Sequence, residues 1–215
     1  MFLHLIRPFH LTRFSRSDAA RPLHFLDVGC GNHMPRATKR RLPNWNYYGL
    51  DRSDYNIDAD DKAAMSGHYV IDLETGSLEG VPDGFFDIIV MSHVIEHLRN
   101  GLDVLDALTR KLAPGGALYV EFPSVRSLGL PSMKGTLNFC DDPSHVRVYS
   151  VREIANLLLT RGFRIVKAGR RRYWTRIVLL PVIVVVKLAM GRKPEAGDFW
   201  DVTGFADYVL ARKTG

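Results

Sequence analysis

The sequence predicts an α/β fold, a mostly parallel sheet with helices on both faces. The first observation is His24-Phe25-Leu26-Asp27-Val28-Gly29-Cys30-Gly31-Asn32, a short apolar run that ends in a Gly-x-Gly turn and passes into helix-compatible sequence. A buried strand opening into a glycine loop is where open α/β sheets bind nucleotide-like ligands, because glycine lets backbone approach the ligand with no Cβ between them. The second is Phe85-Phe86-Asp87-Ile88-Ile89-Val90-Met91, nearly continuous in apolar residues, as a central parallel strand buried on both faces requires. The third is recurrence: Asn46-Tyr47-Tyr48-Gly49-Leu50 runs up to Asp51, and His68-Tyr69-Val70-Ile71-Asp72-Leu73 again carries a carboxylate near its end.

At 215 residues, with 46% hydrophobic and 24% charged residues, the chain has the composition of an ordinary globular protein and can bury a core without disulfides. Cys30 and Cys140 are its two cysteines, which excludes a disulfide framework and makes a reducing cytoplasm the expected location. The net charge of +6 fits a negatively charged partner, whether nucleic acid, anionic lipid or phosphorylated substrate. Residues 1–22 read as an N-terminal cap segment over the ligand cleft, with a basic surface on membrane as the alternative; Arg7 and Pro8 break the apolar run a signal peptide needs.

The residues after the glycine loop narrow the ligand. A dinucleotide fingerprint needs glycine at position 34, which is Met34, and needs no carboxylate before the loop; Asp27 suits a ligand carrying a cation there. Pro35 to Leu42 reads as a helix. Asp51, about 20 residues beyond the loop, stands where an acidic residue accepts ribose hydroxyls, with capping of the next turn as its alternative role. Leu112-Ala113-Pro114-Gly115-Gly116 reads as a helix stop and turn before a strand Ala117 to Phe122. Ser150-Val151-Arg152-Glu153 reads as a capping box opening a helix that Gly162 ends, with strands at Phe163 to Ala168 and Phe205 to Ala211.

Asp27-Val28-Gly29-Cys30-Gly31 resembles motif I of the class I S-adenosylmethionine-dependent methyltransferases, and Phe86-Asp87 with His93-Val94-Ile95-Glu96-His97-Leu98 resembles the signature of the methyltransferase type 11 group. The resemblance implies a Rossmann-like seven-stranded sheet in the order 3-2-1-4-5-7-6, S-adenosyl-L-methionine as cofactor, and one methyltransferase domain over residues 1–215. It implies that Asp27 with the backbone at Gly29, Cys30 and Gly31 holds the methionine part, Asp51 with Arg52 the ribose, and Asp72 with Leu73 the adenine. Ser92, His93 and their neighbours brace the methionine end. Methyl transfer to an oxygen on a small-molecule, saccharide or lipid-linked acceptor is the expected reaction; a nucleic-acid methyltransferase and a non-catalytic cofactor-binding module are the alternatives. No aromatic-basic stacking pattern supports the nucleic-acid reading.

On a helix, His93, Glu96 and His97 share a face and could hold a divalent ion with a fourth ligand from elsewhere. Metal-dependent relatives carry Glu where this chain has His93, so no metal is expected. In the loop Asn138 to Val148, His145 is the first candidate base, with a merely stabilising place beside the helix cap as its alternative, and His97 is the second. The stretch 169–204 is an apolar and basic insertion between the last two strands. Its apolar core, Ile177 to Met190, is flanked by Arg170, Arg171, Arg172 and Arg176 before and Arg192 and Lys193 after. It reads either as a hairpin packed on the sheet or as a segment lying peripherally in the interface of the inner membrane face.

Overall fold

The computed structural model describes residues 21–214; the proposed cap over residues 1–22 lies almost wholly outside them. Seven strands form one sheet: β1 (His24–Val28), β2 (Asn46–Asp51), β3 (Gly67–Val70), β4 (Phe86–Ser92), β5 (Leu112–Pro123), β6 (Phe163–Arg170) and β7 (Ala206–Lys213). Their order is β3-β2-β1-β4-β5-β7-β6, as expected from the resemblance. β7 runs antiparallel to both β5 and β6, and the other four pairings are parallel.

Strand alternation sorts the side chains onto two faces. Leu26, Val28, Ile89, Met91, Leu118 and Val120 join one core, closed by Leu105 and Leu108 of helix α3 (Gly101–Lys111) and by Ile154 and Leu158 of α4 (Val151–Thr160). Phe25, Tyr47, Ile88, Val90 and Tyr119 join the other, with Trp45 and Leu42. That second face is flanked by the short helices α1 (Met34–Lys39) and α2 (Ala59–Ala64), the latter opened by a capping box of Asp58 and Asp61. Between β6 and β7 lie two helices, α5 (Trp174–Ala189) and α6 (Ala196–Thr203).

Three local expectations are corrected. β3 stops at Val70, so Asp72 and Leu73 sit in the following turn, where Asp72 Oδ1 accepts the Glu74 amide at 2.9 Å. The Pro114-Gly115-Gly116 turn is an irregularity inside β5: pairing jumps from Phe86↔Leu112 to Ile88↔Ala117, and Gly115 takes φ 74°. The turn residues loop out without ending the ladder, since β4 continues alongside. The capping box at α4 forms only by half: Ser150 accepts the Glu153 amide at 3.2 Å, whereas the Glu153 carboxylate is taken by Arg147. Gly162, at φ 76°, ends the helix as expected.

Candidate active site

The carboxyl ends of β1, β2 and β4 converge on the glycine loop. Gly29 adopts φ 83° and donates its amide to the Leu50 carbonyl at 2.8 Å, and a Cβ added there would lie 2.4 Å from Val94 Cγ2. Gly31 donates to Asp51 Oδ2 at 3.3 Å, and a Cβ on it would lie 2.8 Å from the Tyr55 carbonyl. The loop thus presents backbone, with Asp51 half-buried beside it and Arg52 exposed next in the chain. Asn32 and His33, which occupy the place of a further glycine, both hold left-handed backbone at φ 57° and 58°, a conformation that costs a non-glycine residue about 1 kcal/mol or more. Two contacts from the segment after β2 fasten them: Asn56 Nδ2 donates to Asn32 Oδ1 at 2.8 Å, and His33 Nδ1 meets the fully buried Asp61 at 2.6 Å.

Asp27 lies on β1, just before the glycine loop. Its position on β1 shares the face of Phe25, so its side chain turns into the aromatic core and accepts the Tyr47 hydroxyl at 2.6 Å. Burial pushes its carboxyl up to about 7, against the Tyr47 bond and with the Asp51 charge adding to the rise. The Tyr47 bond braces the strand under the loop. Cys30 likewise points inward against Gly49, its thiol pushed up to about 12 by burial and then by Asp27 and Asp51, so only its backbone faces the loop. Asp72 is exposed and Leu73 half-buried, and the Leu73 carbonyl accepts Asn100 Nδ2 at 3.1 Å. A cavity of about 590 Å³ opens between residues 73–83 and α3, and no glycine-loop residue lines it.

The stretch after β4 is not the helix that the i, i+3, i+4 spacing predicted. His93, directly after Ser92, takes left-handed backbone at φ 55°, and one 3-10 turn, Ile95–His97, follows. His93 and His97 therefore diverge. His93 bonds Glu96 Oε1 through Nδ1 and Glu121 Oε1 through Nε2, both at 3.1 Å. Burial opposes its protonation, but the two carboxylates prevail and raise it to about 9, so it stays an imidazolium. His97 turns to the loop before α4, where its Nδ1 lies 3.0 Å from Ser144 Oγ, and its ring stands 4.8 Å from that of His145.

His145 donates from Nδ1 to the Phe139 carbonyl at 2.7 Å, so that Nε2, 3.9 Å from Asp142 Oδ2, is the nitrogen that carries the lone pair in the neutral ring. The ligand atoms of Glu96, His97 and His145 lie within 4.8 Å of one another, and among the described residues Glu96 Oε2 is buried without a partner. The loop that carries His145 is pinned by Asp141, whose carboxylate accepts the amides of Met133, Leu137 and Asn138 and is held down at about 2 chiefly by the Met133 and Asn138 bonds.

A buried ion chain supports this half of the site, and sequence reasoning missed it. Arg171 donates to Glu121 Oε1 at 2.8 Å and to Asp201 Oδ1 at 3.1 Å; Asp201 also accepts the Tyr173 amide at 3.0 Å. Burial alone would raise the Glu121 carboxyl, yet the Arg171 and His93 charges and the Tyr119 hydroxyl hold it well below the ordinary range. Arg171, expected as one of four cations flanking the apolar stretch, is 7% exposed.

A profile of the methyltransferase domain matches residues 5–168. A ubiquinone biosynthesis O-methyltransferase of Caulobacter vibrioides is 32% identical over 127 residues, 55% of this chain and 49% of that protein. A protein of Mycolicibacterium smegmatis named as a probable S-adenosylmethionine-dependent methyltransferase is 33% identical over 147 residues, 65% of this chain and 51% of that protein. The chain spans about half the length of these curated relatives. The crystal structure of a SAM-dependent methyltransferase from Archaeoglobus fulgidus superposes with a TM-score of 0.60 at 20% identity, covering 95% of this chain and 91% of that one, which shows the fold. With the sheet order, the glycine loop and a domain match over three-quarters of its length, the chain belongs to the methyltransferase-domain family, in the class I S-adenosylmethionine-dependent group.

Proposed function

We propose that this chain transfers the methyl group of S-adenosylmethionine to an oxygen on a small-molecule, saccharide or lipid-linked acceptor. The observation that carries the reading is the Asp51 carboxylate held 3.3 Å from the Gly31 amide at the mouth of a loop that any Cβ would obstruct. The Gly29–Gly31 backbone would hold the methionine part, Asp51 and Arg52 the ribose, and Asp72 and Leu73 the adenine edge, with Ser92 and His93 bracing the methionine end. The sulfonium of the bound cofactor supplies a good leaving group, so the protein's task is alignment and removal of the acceptor proton. His145 Nε2 takes that proton; His97, in ring contact with it, is the second base. Isothermal titration with S-adenosylmethionine and its demethylated product tests the reading, with a nicotinamide dinucleotide as control. Binding of the first two alone is expected, weakened roughly 5- to 150-fold in Asp51→Ala by loss of a hydroxyl acceptor. Equal affinity in the mutant would remove Asp51 from the site, and turnover of any acceptor excludes a non-catalytic module.

One observation favours a second reading in which a divalent cation takes part. Among the described residues Glu96 Oε2 has no partner, and a carboxylate oxygen of Glu96 lies within 4.8 Å of ring nitrogens of His97 and His145. Glu96, His97 and His145, rather than His93, would then hold the ion, and one carboxylate with two nitrogens suits zinc or manganese better than magnesium. In the metal-free reading turnover persists in chelator; activity lost there and restored by added zinc or manganese selects the cation. We place the enzyme in the cytoplasm with peripheral contact to the membrane through α5. Among the described residues no helix is long and apolar enough to cross a membrane.

A further inference from the structure

α5 has no buried residue, although it is almost wholly apolar. Its inward face rests on α6 through polar ties: Arg176 donates to the Gly197 carbonyl at 3.0 Å and Lys187 pairs with Asp198 at 2.6 Å. Its outward face carries Trp174, Val178, Val182 and Val185, 63%, 72%, 58% and 64% exposed, and Leu188 and Met190 continue it. Trp174, Val178, Val182, Val185 and Leu188 recur at three- and four-residue spacing and form one stripe along the helix. Core packing therefore fails for α5, and the sheet-packed hairpin expected as an alternative is limited to α6, where Ala196, Asp198 and Asp201 are buried.

We propose that α5 docks the protein on an anionic lipid bilayer and lies in its interface, so that the acceptor is an amphiphile drawn from that bilayer. The choice of occupant follows from charge. Residues 170–193 contain seven basic residues and no acidic one. Arg171 is consumed by the interior ion chain, and Arg176 and Lys187 lean onto α6; Arg172 before the helix and Arg192 and Lys193 after it stay exposed. A second copy pairing along the stripe would set these cations against one another in either direction, whereas an anionic headgroup layer neutralises both ends at once. A helix of 16 residues spans about 24 Å, short of the ~30 Å hydrocarbon core, so it lies flat with its stripe immersed. Trp174, under the Arg172 guanidinium at 5.8 Å, takes the headgroup level that suits an indole.

The acceptor half is one helix away. α6 places Trp200 4.8 Å from the His93 ring and bonds its Nε1 to the Thr136 carbonyl at 2.9 Å, on the loop whose far end carries His145. A bilayer against α5 thus lies beside the acceptor entrance. This inference about the acceptor rests on the methyl-transfer reading; docking itself does not.

Sedimentation of the full chain with vesicles of phosphatidylglycerol and phosphatidylcholine tests it, pure phosphatidylcholine serving as control. The chain is expected to partition onto the anionic vesicles, with a blue shift of Trp174 emission; Trp45 is fully buried and Trp200 half-buried, and Trp174→Phe should abolish the shift. Val182→Asp with Val185→Asp changes two exposed positions and should lower partitioning at least about tenfold, through lost burial and added repulsion. Arg192→Glu with Lys193→Glu, beyond the helix, should weaken it and remove most of its salt sensitivity. No sedimentation at low salt, or sedimentation indifferent to the valine pair, overturns the proposal. A parent dimer that the valine pair dissociates, with no vesicle binding, assigns the stripe to a second copy and overturns it as well. Cofactor titration on the same proteins separates the two claims: vesicle binding without cofactor binding would sink the methyl-transfer reading and leave docking standing.

Discussion

Arg171→Met should destabilise the fold more than any change to the exposed arginines beside it, and should flatten how stability responds to acid. The guanidinium sits between Glu121 and Asp201, at 2.8 and 3.1 Å, with both carboxylates buried. Removing one member of a buried ion pair typically costs 3–5 kcal/mol, because an uncompensated charge is left inside. Here the survivors keep partial compensation. Glu121 retains His93 and Tyr119, and Asp201 retains the Tyr173 amide and Arg176 at 3.8 Å. The lower end, about 3 kcal/mol, is therefore expected, and for a domain of this size it lowers Tm by roughly 6–12 °C. In the parent, the depressed Glu121 carboxyl contributes stability that is complete above its ordinary value of 4.5 and is lost as pH falls through its lower folded value. In the variant burial meets less opposition and that carboxyl rises relative to the parent, so less stability is lost as pH falls below the ordinary value. Denaturant unfolding followed by circular dichroism from pH 2 to 8 reads both effects. A loss under about 1 kcal/mol with the parent's pH slope would refute the buried chain; Glu121→Gln in the Arg171→Met background should recover part of the loss.

Three other outcomes follow. His145→Ala should lower kcat by about 10²–10⁴-fold with cofactor affinity within about twofold; if turnover stays within about twofold of the parent, His97 becomes the base. Asp61→Asn, which loosens His33, should weaken cofactor binding roughly tenfold, and Asn32→Gly with His33→Gly should restore it by removing the need for a clamp; failure of the glycines to rescue would make Asp61 a helix cap alone. Asp27→Asn should become more stable relative to the parent as pH rises from the ordinary carboxyl value of 3.8 towards 7, because the parent must hold a proton that its unfolded chain releases. Melting curves whose difference is flat across that window would show the carboxyl to be solvated.

The sheet was legible because it rests on pattern. Phe25, Leu26 and Val28 alternate against Ile88 to Met91, and with one glycine loop between β1 and α1 few other orders can bury both faces. Asp51 was legible for the same reason, as the last residue of a strand adjacent to that loop. What failed was whatever depended on a partner distant in sequence. His93 to His97 read as a helix because spacing carries no record of the left-handed residue at 93, which Glu121, 28 residues on, holds in place. Arg171 looked like its neighbours in a run of three arginines; only its two carboxylates, 50 and 30 residues away, set it apart. The place of Asp27 before the glycines likewise gives no sign of Tyr47, 20 residues on, towards which alternation along β1 turns its carboxylate.

The two thiols of this chain are divided by environment in a way that makes it a ready reporter of its own acceptor loop. Cys30 is sealed under the glycine loop, and burial keeps its thiolate scarce at neutral pH, so alkylating reagents reach it only when the chain unfolds. Cys140 is exposed on the turn Phe139–Asp141, whose first carbonyl orients His145. A maleimide fluorophore added to the unaltered protein would therefore attach at one place, on the loop that carries the base, and report on its surroundings with no cysteine introduced or removed.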